Sequence, residues 1–452
     1  MNRDSRFQAV KECPSWVIQS LFGLCVVASA VFFIPMNAHA NPFHIGKYGG
    51  LIGSGATHRS PFAVYWNPAG LVNPGVSLQL HGMLVGRQAE FDRDAALNEV
   101  PDELVGINSG LAKTTSLGAV PAIALQDGHD FNSWQIGIGV AAFVDRAGRT
   151  NWDKNLGASS EYPGAVDGPQ RWAVINTELT FYNLAVGLGA EHLESGLSLG
   201  VSWIGTRVDL ATVRARNVNT SDDVLVEGHL AEGRILFRDG EDEGYTLVLG
   251  AQWQIVDAFS LGIAWQNEVK YQIEGNSLIL FGEADETSEP ATTDLPIPQT
   301  IRSEARWQVS NSLQIRPALT WVGWSILQTQ TAIGNRTGEV LFRTPRNFED
   351  IWTTSLSFDW QAFDRHVLHA MVGYETGATP RNAHEPGLAE SDNGQFGIAA
   401  SSSWSEGVTT HISFMWQQFA DVTVTDSVQR PTMNGRYKDQ RQYLTVDVEF
   451  AL

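Results

Sequence analysis

Apolar and polar residues alternate along most of this chain. Trp352, Thr354, Leu356, Phe358 and Trp360 interleave with Thr353, Ser355, Ser357, Asp359 and Gln361, which makes one face greasy and the other polar. Tyr245, Leu247, Leu249, Ala251 and Trp253 alternate in the same way with Thr246, Gly250, Gln252 and Gln254, as do Ile412, Phe414 and Trp416 with His411, Ser413 and Gln417. A period of two is the signature of strands with chemically different faces. Placed by this rule, fourteen strands are predicted, beginning near Gly75, Ser116, Phe131, Asn176, Gly196, Tyr245, Phe259, Ile297, Ser312, Trp352, His366, Gly394, Val408 and Tyr443.

The connections alternate as well. Short turns at Asp127-Gly128, Glu194-Ser195-Gly196, Val256-Asp257, Ser310-Asn311, Asp364-Arg365 and Ser405-Glu406-Gly407 separate strand pairs from long loops. The loops are expected at 87–115, 145–175, 214–244, 280–296, 333–351, 379–393 and 425–442. Short turns on one side and long loops on the other describe an antiparallel transmembrane β-barrel with both ends in the periplasm. A soluble sandwich or propeller shares the strand spacing but not this asymmetry.

The N-terminus changes the picture further. Arg3, Arg6 and Lys11 precede an apolar run from about Trp16 to Ile34, followed by Ala38-His39-Ala40, the pattern of a cleaved signal peptide over residues 1–40. An uncleaved anchor is the competing reading. Both cysteines, Cys13 and Cys25, lie in this leader, so neither a disulfide framework nor a thiolate metal site is expected beyond it. The formal charge of −20 argues against nucleic acid as a partner. The 15 Trp and 21 Phe are many for an acidic soluble protein but suit the aromatic girdles of a barrel.

Between the leader and the first strand lies a glycine-rich segment, Gly46 to Gly55, and then Tyr65-Trp66-Asn67-Pro68-Ala69-Gly70-Leu71, in which Asn-Pro-Ala favours a turn. This stretch resembles the N-terminal hatch of the FadL/TodX family of outer-membrane transporters for long-chain fatty acids and other hydrophobic compounds. LPIPQTIRSEARWQV with LTWVGWSIL, WTTSLSFDWQAFDRHVLHAMVGYETGATP, and the closing GRYKDQRQYLTVDVEF are similar to strand pairs of that family. The resemblance implies a fourteen-stranded all-β barrel (residues 74–452) plugged by a hatch (41–73). It further implies a monomer in the outer membrane of a Gram-negative bacterium, passing hydrophobic molecules out through an opening in its wall.

Candidate residues follow from that reading. Asn67, Pro68 and Ala69 match the hatch motif, where a polar side chain ties plug to wall; an ordinary turn is the alternative. The family's opening lies at a kink in the third strand. Pro121, which lacks an N–H, and Gly137 and Gly139, which lack side chains on lumen positions, are where it is expected, in competition with glycines that make room for the plug. Leu225, Leu230, Leu236 and Phe237, in the 214–244 loop, are candidates for a substrate-collecting surface or for a strand continuing above the membrane.

Arg302, Arg306 and Arg316 share a lumen face and could receive a carboxylate. Wall salt bridges with Glu304 and other acids are expected for at least two of the three. The run Asp239-Gly240-Glu241-Asp242-Glu243 does not follow a calcium-loop order, so neither metal nor cofactor is assigned. Substrate uptake, of fatty acids first and of aromatic or alkane hydrocarbons as the alternative, competes with two other classes. One is an outer-membrane lipid hydrolase, although no H-E-x-x-H motif occurs; the other is an open porin or an adhesin.

Overall fold

The computed structural model describes residues 46–158, 161–217, 221–226, 229–281 and 287–452. The expected leader and the first residues of the hatch lie outside the described residues. Fourteen antiparallel strands form a closed barrel. In chain order they are β1 (Gly75–Arg93), β2 (Gly110–Phe131), β3 (Trp134–Asn151), β4 (Asn176–His192), β5 (Leu197–Asn217) and β6 (Glu232–Val256). Next come β7 (Phe259–Gln266 with Val269–Phe281), β8 (Thr287–Ile297 with Thr300–Ser310), β9 (Leu313–Val322 with Thr329–Gly334) and β10 (Val340–Pro345 with Ile351–Phe363). The last four are β11 (His366–Glu375), β12 (Asn393–Ser405), β13 (Val408–Phe419) and β14 (Gly435–Ala451). β14 closes the ring against β1 over the register Ser77↔Ala451 to Arg93↔Gly435.

The alternation puts Leu80, Leu125, Ile138, Leu184, Leu199, Leu249, Ile263 and Ile398 on the outside, exposed to lipid. Trp134, Trp253, Trp307, Trp360 and Trp404 stand exposed beside the short turns, and Trp203, Tyr245, Trp352, Tyr374 and Trp416 form the opposite girdle.

Several strands start well before their expected positions: β6 at Glu232 rather than near Tyr245, β14 at Gly435 rather than near Tyr443, and β2 at Gly110 rather than near Ser116. In β6 the reason is an inversion of polarity across a bulge in its register with β5. In the membrane, Tyr245, Leu247 and Leu249 face outward. Above it Ile235 and Phe237 of the same strand are buried inside, and Arg238 and Asp239 are exposed. A rule that equates the greasy face with lipid loses the strand where that face turns inward.

The hatch occupies the lumen with two short helices, α1 (Gly50–Gly53) and α2 (Ala63–Trp66), and a 3₁₀ turn at Pro68–Gly70. Among the described residues, no helix is long and apolar enough to cross a membrane.

Candidate functional site

The hatch is seated on glycine. Gly128, Gly137, Gly189, Gly200 and Gly250 are successive register partners across β2 to β6, so they form one lumen-facing row. A β-carbon at Gly128 would lie 2.0 Å from the Asn73 carbonyl oxygen, at Gly137 1.8 Å from that of Leu71, at Gly200 2.2 Å from the Pro68 carbonyl carbon and at Gly250 1.8 Å from Asn67 Oδ1. Gly139 and Gly187, partners in the next row, do the same for the Leu71 side chain. No other residue lets two backbones come this close.

Asn67 is fully buried, and its Nδ2 donates to the carbonyls of Ala56 (2.6 Å), Ala251 (3.1 Å) and Ile263 (3.2 Å). Its Oδ1 accepts from Ala69 N–H (3.1 Å) and caps the 3₁₀ turn that Pro68 begins. One side chain thus joins the hatch to itself and to two wall strands.

Ion pairs complete the attachment. Arg59 grips Glu191 through two bonds of 2.8 and 2.7 Å. Arg316 binds Asp359 (2.8 and 3.2 Å) and donates to the Leu51 carbonyl (2.9 Å), while Glu304 accepts from Thr57. Within the hatch, burial and the nearby Arg316 push the His58 imidazole down to about 3, burial lowers the Lys47 ammonium against the opposing pull of Glu375, and burial pushes the Tyr65 phenol up to about 12. Tyr65 and His58 are therefore neutral at pH 7.

Ser401 Oγ lies 2.9 Å from His369 Nε2, and His369 Nδ1 lies 2.7 Å from Asp359 Oδ1, contacts of the kind hydrolases use. Here Asp359 is also committed to Arg316 and Gln314, and Ser401 Oγ is shared with His411 Nδ1 at 2.9 Å. The cluster braces the wall under the hatch.

Above the hatch the lumen becomes apolar. Phe181, Leu210, Ile235, Phe237, Tyr271, Leu295, Trp324, Leu327 and Phe348 belong to one buried cluster of inward-facing residues. Between cluster and hatch lies a chamber of about 170 Å³ bordered by Trp66, Trp324, Val322 and Ile351 and by Lys47, Arg146, Arg302, Glu375 and Glu390. Higher up, a hollow of about 90 Å³ is lined by Leu179, Leu210, Leu295, Phe342 and Leu388, with Arg214 and Glu385.

The three candidate arginines separate. Arg316 is in the salt bridge described. Arg306 donates to Ser260 (3.1 Å), near the periplasmic turn. Arg302 donates to Gln266 Oε1 (3.1 Å) and stacks over Tyr65 and Trp66 at 5.2 and 5.6 Å, and its buried Nη1 has no hydrogen-bond partner. Among the described residues neither Arg302 nor Arg306 pairs with a carboxylate, contrary to the expectation of at least two wall salt bridges. Glu304 lies between them on the same face, but its carboxylate points into the hatch toward Thr57.

The wall ladder breaks, but not at the glycines. β2 and β3 pair from Phe131↔Trp134 up to Ile123↔Ala142 and no further. Gly137 and Gly139 sit within the intact part, and Pro121 lies just past its end. Beyond the break, β3 carries a bulge between Val144 and Arg146 in its register with β4. The strands meet again where Thr114 Oγ1 donates to the Asn151 carbonyl (3.1 Å) and Asp153 N–H to that of Lys113 (2.8 Å). The result is a gap in the wall flanked by residues 115–122 and 143–150. Gly46 N–H bonds the bulged Asp145 (3.2 Å), and Tyr48 and Tyr65 pack on Phe143, so the hatch stands behind the gap. The sequence signal for this break was Asp145-Arg146, two charges that interrupt an alternating strand.

The collecting-surface candidates lie apart. Leu225 and Leu230 pair in a two-residue hairpin, Leu225 exposed, whereas Leu236 and Phe237 belong to the upper part of β6 and Phe237 faces the lumen. Leu97, Val105 and Leu156, which the sequence reading passed over, are also exposed apolar residues of the extracellular loops.

The family model described as outer membrane protein transport protein (OMPP1/FadL/TodX) matches residues 51–451. The chain belongs to this family. It is therefore an outer-membrane β-barrel of a family that transports hydrophobic compounds, and its structural neighbours are transport channels rather than enzymes. A Pseudomonas aeruginosa FadL homologue superimposes with a TM-score of 0.73 at 16% identity, covering 92% of this chain and 99% of that one. The P. putida toluene transporter TodX gives 0.67 at 13% identity, covering 91% and 99%, and the Ralstonia pickettii toluene transporter TbuX 0.60 at 15%, covering 91% and 99%. At these identities the likeness is one of fold. No curated protein matches the chain.

Proposed function

We propose that this FadL/TodX family member takes up long-chain fatty acids, which enter from the extracellular loops, pause above the hatch with the carboxylate at Arg302, and leave sideways through the gap between β2 and β3. The observation that carries the substrate choice is Arg302, a buried guanidinium with a free Nη1 that borders a chamber whose other walls include Trp66, Trp324 and Ile351. A permanently charged fork beside apolar surface suits a molecule with one anionic end and a long greasy body. Burying about ten methylenes at about 0.8 kcal/mol each supplies about 8 kcal/mol, enough for micromolar binding.

Uptake of monoaromatic hydrocarbons is the second reading. Size favours it: hollows of about 170 and 90 Å³ stand near the roughly 150 Å³ that accepts benzene, although charged residues share the lining of the larger. Arg302→Gln separates the two. Fatty-acid uptake should weaken by about 1.5–3 kcal/mol, the value of a hydrogen bond to a charged group, with toluene uptake unchanged. Equal loss for both, at normal barrel abundance, sinks the carboxylate role.

A further inference from the structure

The outer surface of the barrel carries a hollow of about 680 Å³ that begins where the ladder parts. Pro121, Ile123 and Val144 mark its edge at the gap. From there it crosses β4, β5 and β6 beneath the exposed side chains of Leu184, Trp203 and Tyr245. Trp203 and Tyr245 stack at 4.9 Å with planes 15° apart, and beside them Gly205 leaves the floor without a side chain. Arg207 and Glu243 border the hollow. Its volume falls in the range of ligand sites, although it faces lipid.

A second hollow of about 630 Å³ also faces lipid, among Leu197, Trp253, Leu261, Ile263 and Leu319. Over that surface β5 to β8 pair residue by residue, β8 and β9 pair up to Glu304↔Ala318 and again from Trp307↔Ile315, and the hollow does not touch the gap between β2 and β3. The two hollows are alike in size and greasiness and differ in their connection to the gap.

We propose that the Trp203–Tyr245 hollow is an exit site, which holds the hydrophobic body of the transported molecule on the outer wall after it clears the gap and before it disperses in the outer leaflet. This rests on the lateral-exit reading above. The contribution is directional: a molecule half out of the wall trades lumen contacts for contacts with Leu184, Trp203 and Tyr245, and does not have to displace bilayer lipid from a flat wall in one step. Continuity with the gap selects the transported molecule as the occupant over ordinary bilayer lipid.

The test uses a long-chain fatty acid bearing a diazirine near its methyl end, given briefly to cells expressing the full chain, then irradiated, with adducts mapped by mass spectrometry. Adducts at Leu184, Trp203 and Tyr245 should exceed those at Leu197, Trp253 and Leu261 several-fold at early times. Equal labelling of the two hollows overturns the proposal, because both would then only be sampling lipid. Pro121→Cys with Val144→Cys, bridged by a short thiol crosslinker, separates this from the reading beneath it. Uptake that survives the bridge refutes lateral exit. Uptake lost on bridging, with no excess labelling in the unbridged protein, refutes the exit site alone. Gly205→Leu fills the floor with room for its β-carbon, whose nearest neighbours, Trp203 and Tyr245, stand at 3.7 and 3.8 Å. It should slow uptake several-fold and reduce labelling at Leu184, Trp203 and Tyr245, and unchanged uptake counts against the site.

Discussion

Where the hatch meets the lower wall, the wall supplies glycines, backbone carbonyls and ionised side chains, and each hatch group faces a specific partner: Asn67 three carbonyls, Arg59 Glu191, the Leu71 carbonyl Gly137. Higher in the lumen the wall supplies Phe181, Ile235, Phe237, Tyr271 and Trp324, with small hollows between them. Hydrogen bonds and close backbone contacts are directional and fail when displaced, whereas apolar contacts tolerate many positions of a greasy molecule. On the proposed function, the lower half is the part that stays shut and the upper half the part that accepts molecules of more than one shape.

The comparison breaks most severely if the glycine seat is filled. Gly250→Leu places a β-carbon where Asn67 Oδ1 stands and Gly137→Leu one where the Leu71 carbonyl stands, and neither partner can retreat without leaving the wall. Overpacking of this kind costs roughly 1–3 kcal/mol or more, and here it falls on the hatch rather than on the barrel ladder. The expected outcome is a folded barrel whose conductance in planar bilayers rises as the hatch is displaced. A Phe237→Leu control in the upper half should leave conductance closed.

Next in its effect on the closed hatch, though larger in stability, is Arg316→Gln, which leaves Asp359 without its cation and the Leu51 carbonyl without its donor. Removing one member of a buried pair typically costs about 3–5 kcal/mol. A lowered unfolding temperature, with fatty acid and toluene uptake changed alike, would mark Arg316 as part of the lock. That signature contrasts with the substrate-selective loss expected for Arg302→Gln.

How much of this was legible in the sequence differs between the halves for the same reason. In the membrane, lipid forces a greasy outer face, so residues such as Tyr245 to Trp253 announce their strand. Above it water replaces lipid outside, Ile235 and Phe237 turn inward, and the same strand reads as a loop. The hatch motif was readable because Asn67 and Pro68 act locally, through a cap and a turn. The seat was half readable: Gly137 and Gly139 stood out as lumen positions, but only the register across β2 to β6 shows that they belong to rows beneath Leu71. Long-range placement also decided the arginines. Arg302, Glu304 and Arg306 alternate on one face, and nothing local says that Glu304 turns to Thr57.

The smallest effect expected concerns acid. His58 is held neutral in the docked hatch, down to about pH 3, by burial and by Arg316, His411 and Arg306 around it, against a weaker pull from Asp359. Released from the wall, its imidazole would titrate near the ordinary 6.5. The depressed group binds fewer protons docked than undocked, so docking is favoured at neutral pH and loses stability as pH falls below about 6.5, by at most about 1.4 kcal/mol per unit. Barrels in planar bilayers should therefore show more frequent transient openings at pH 5 than at pH 7. Glu304, Asp359, His369 and His411 stand in the same part of the wall, and His58→Gln removes one of these groups without touching the rest. If the hatch senses acid through His58, the variant's opening frequency at pH 5 falls toward its value at pH 7. If the variant opens with acid as the parent does, the carboxylates and histidines of the wall carry the response, and His58 is only a buried neutral ring.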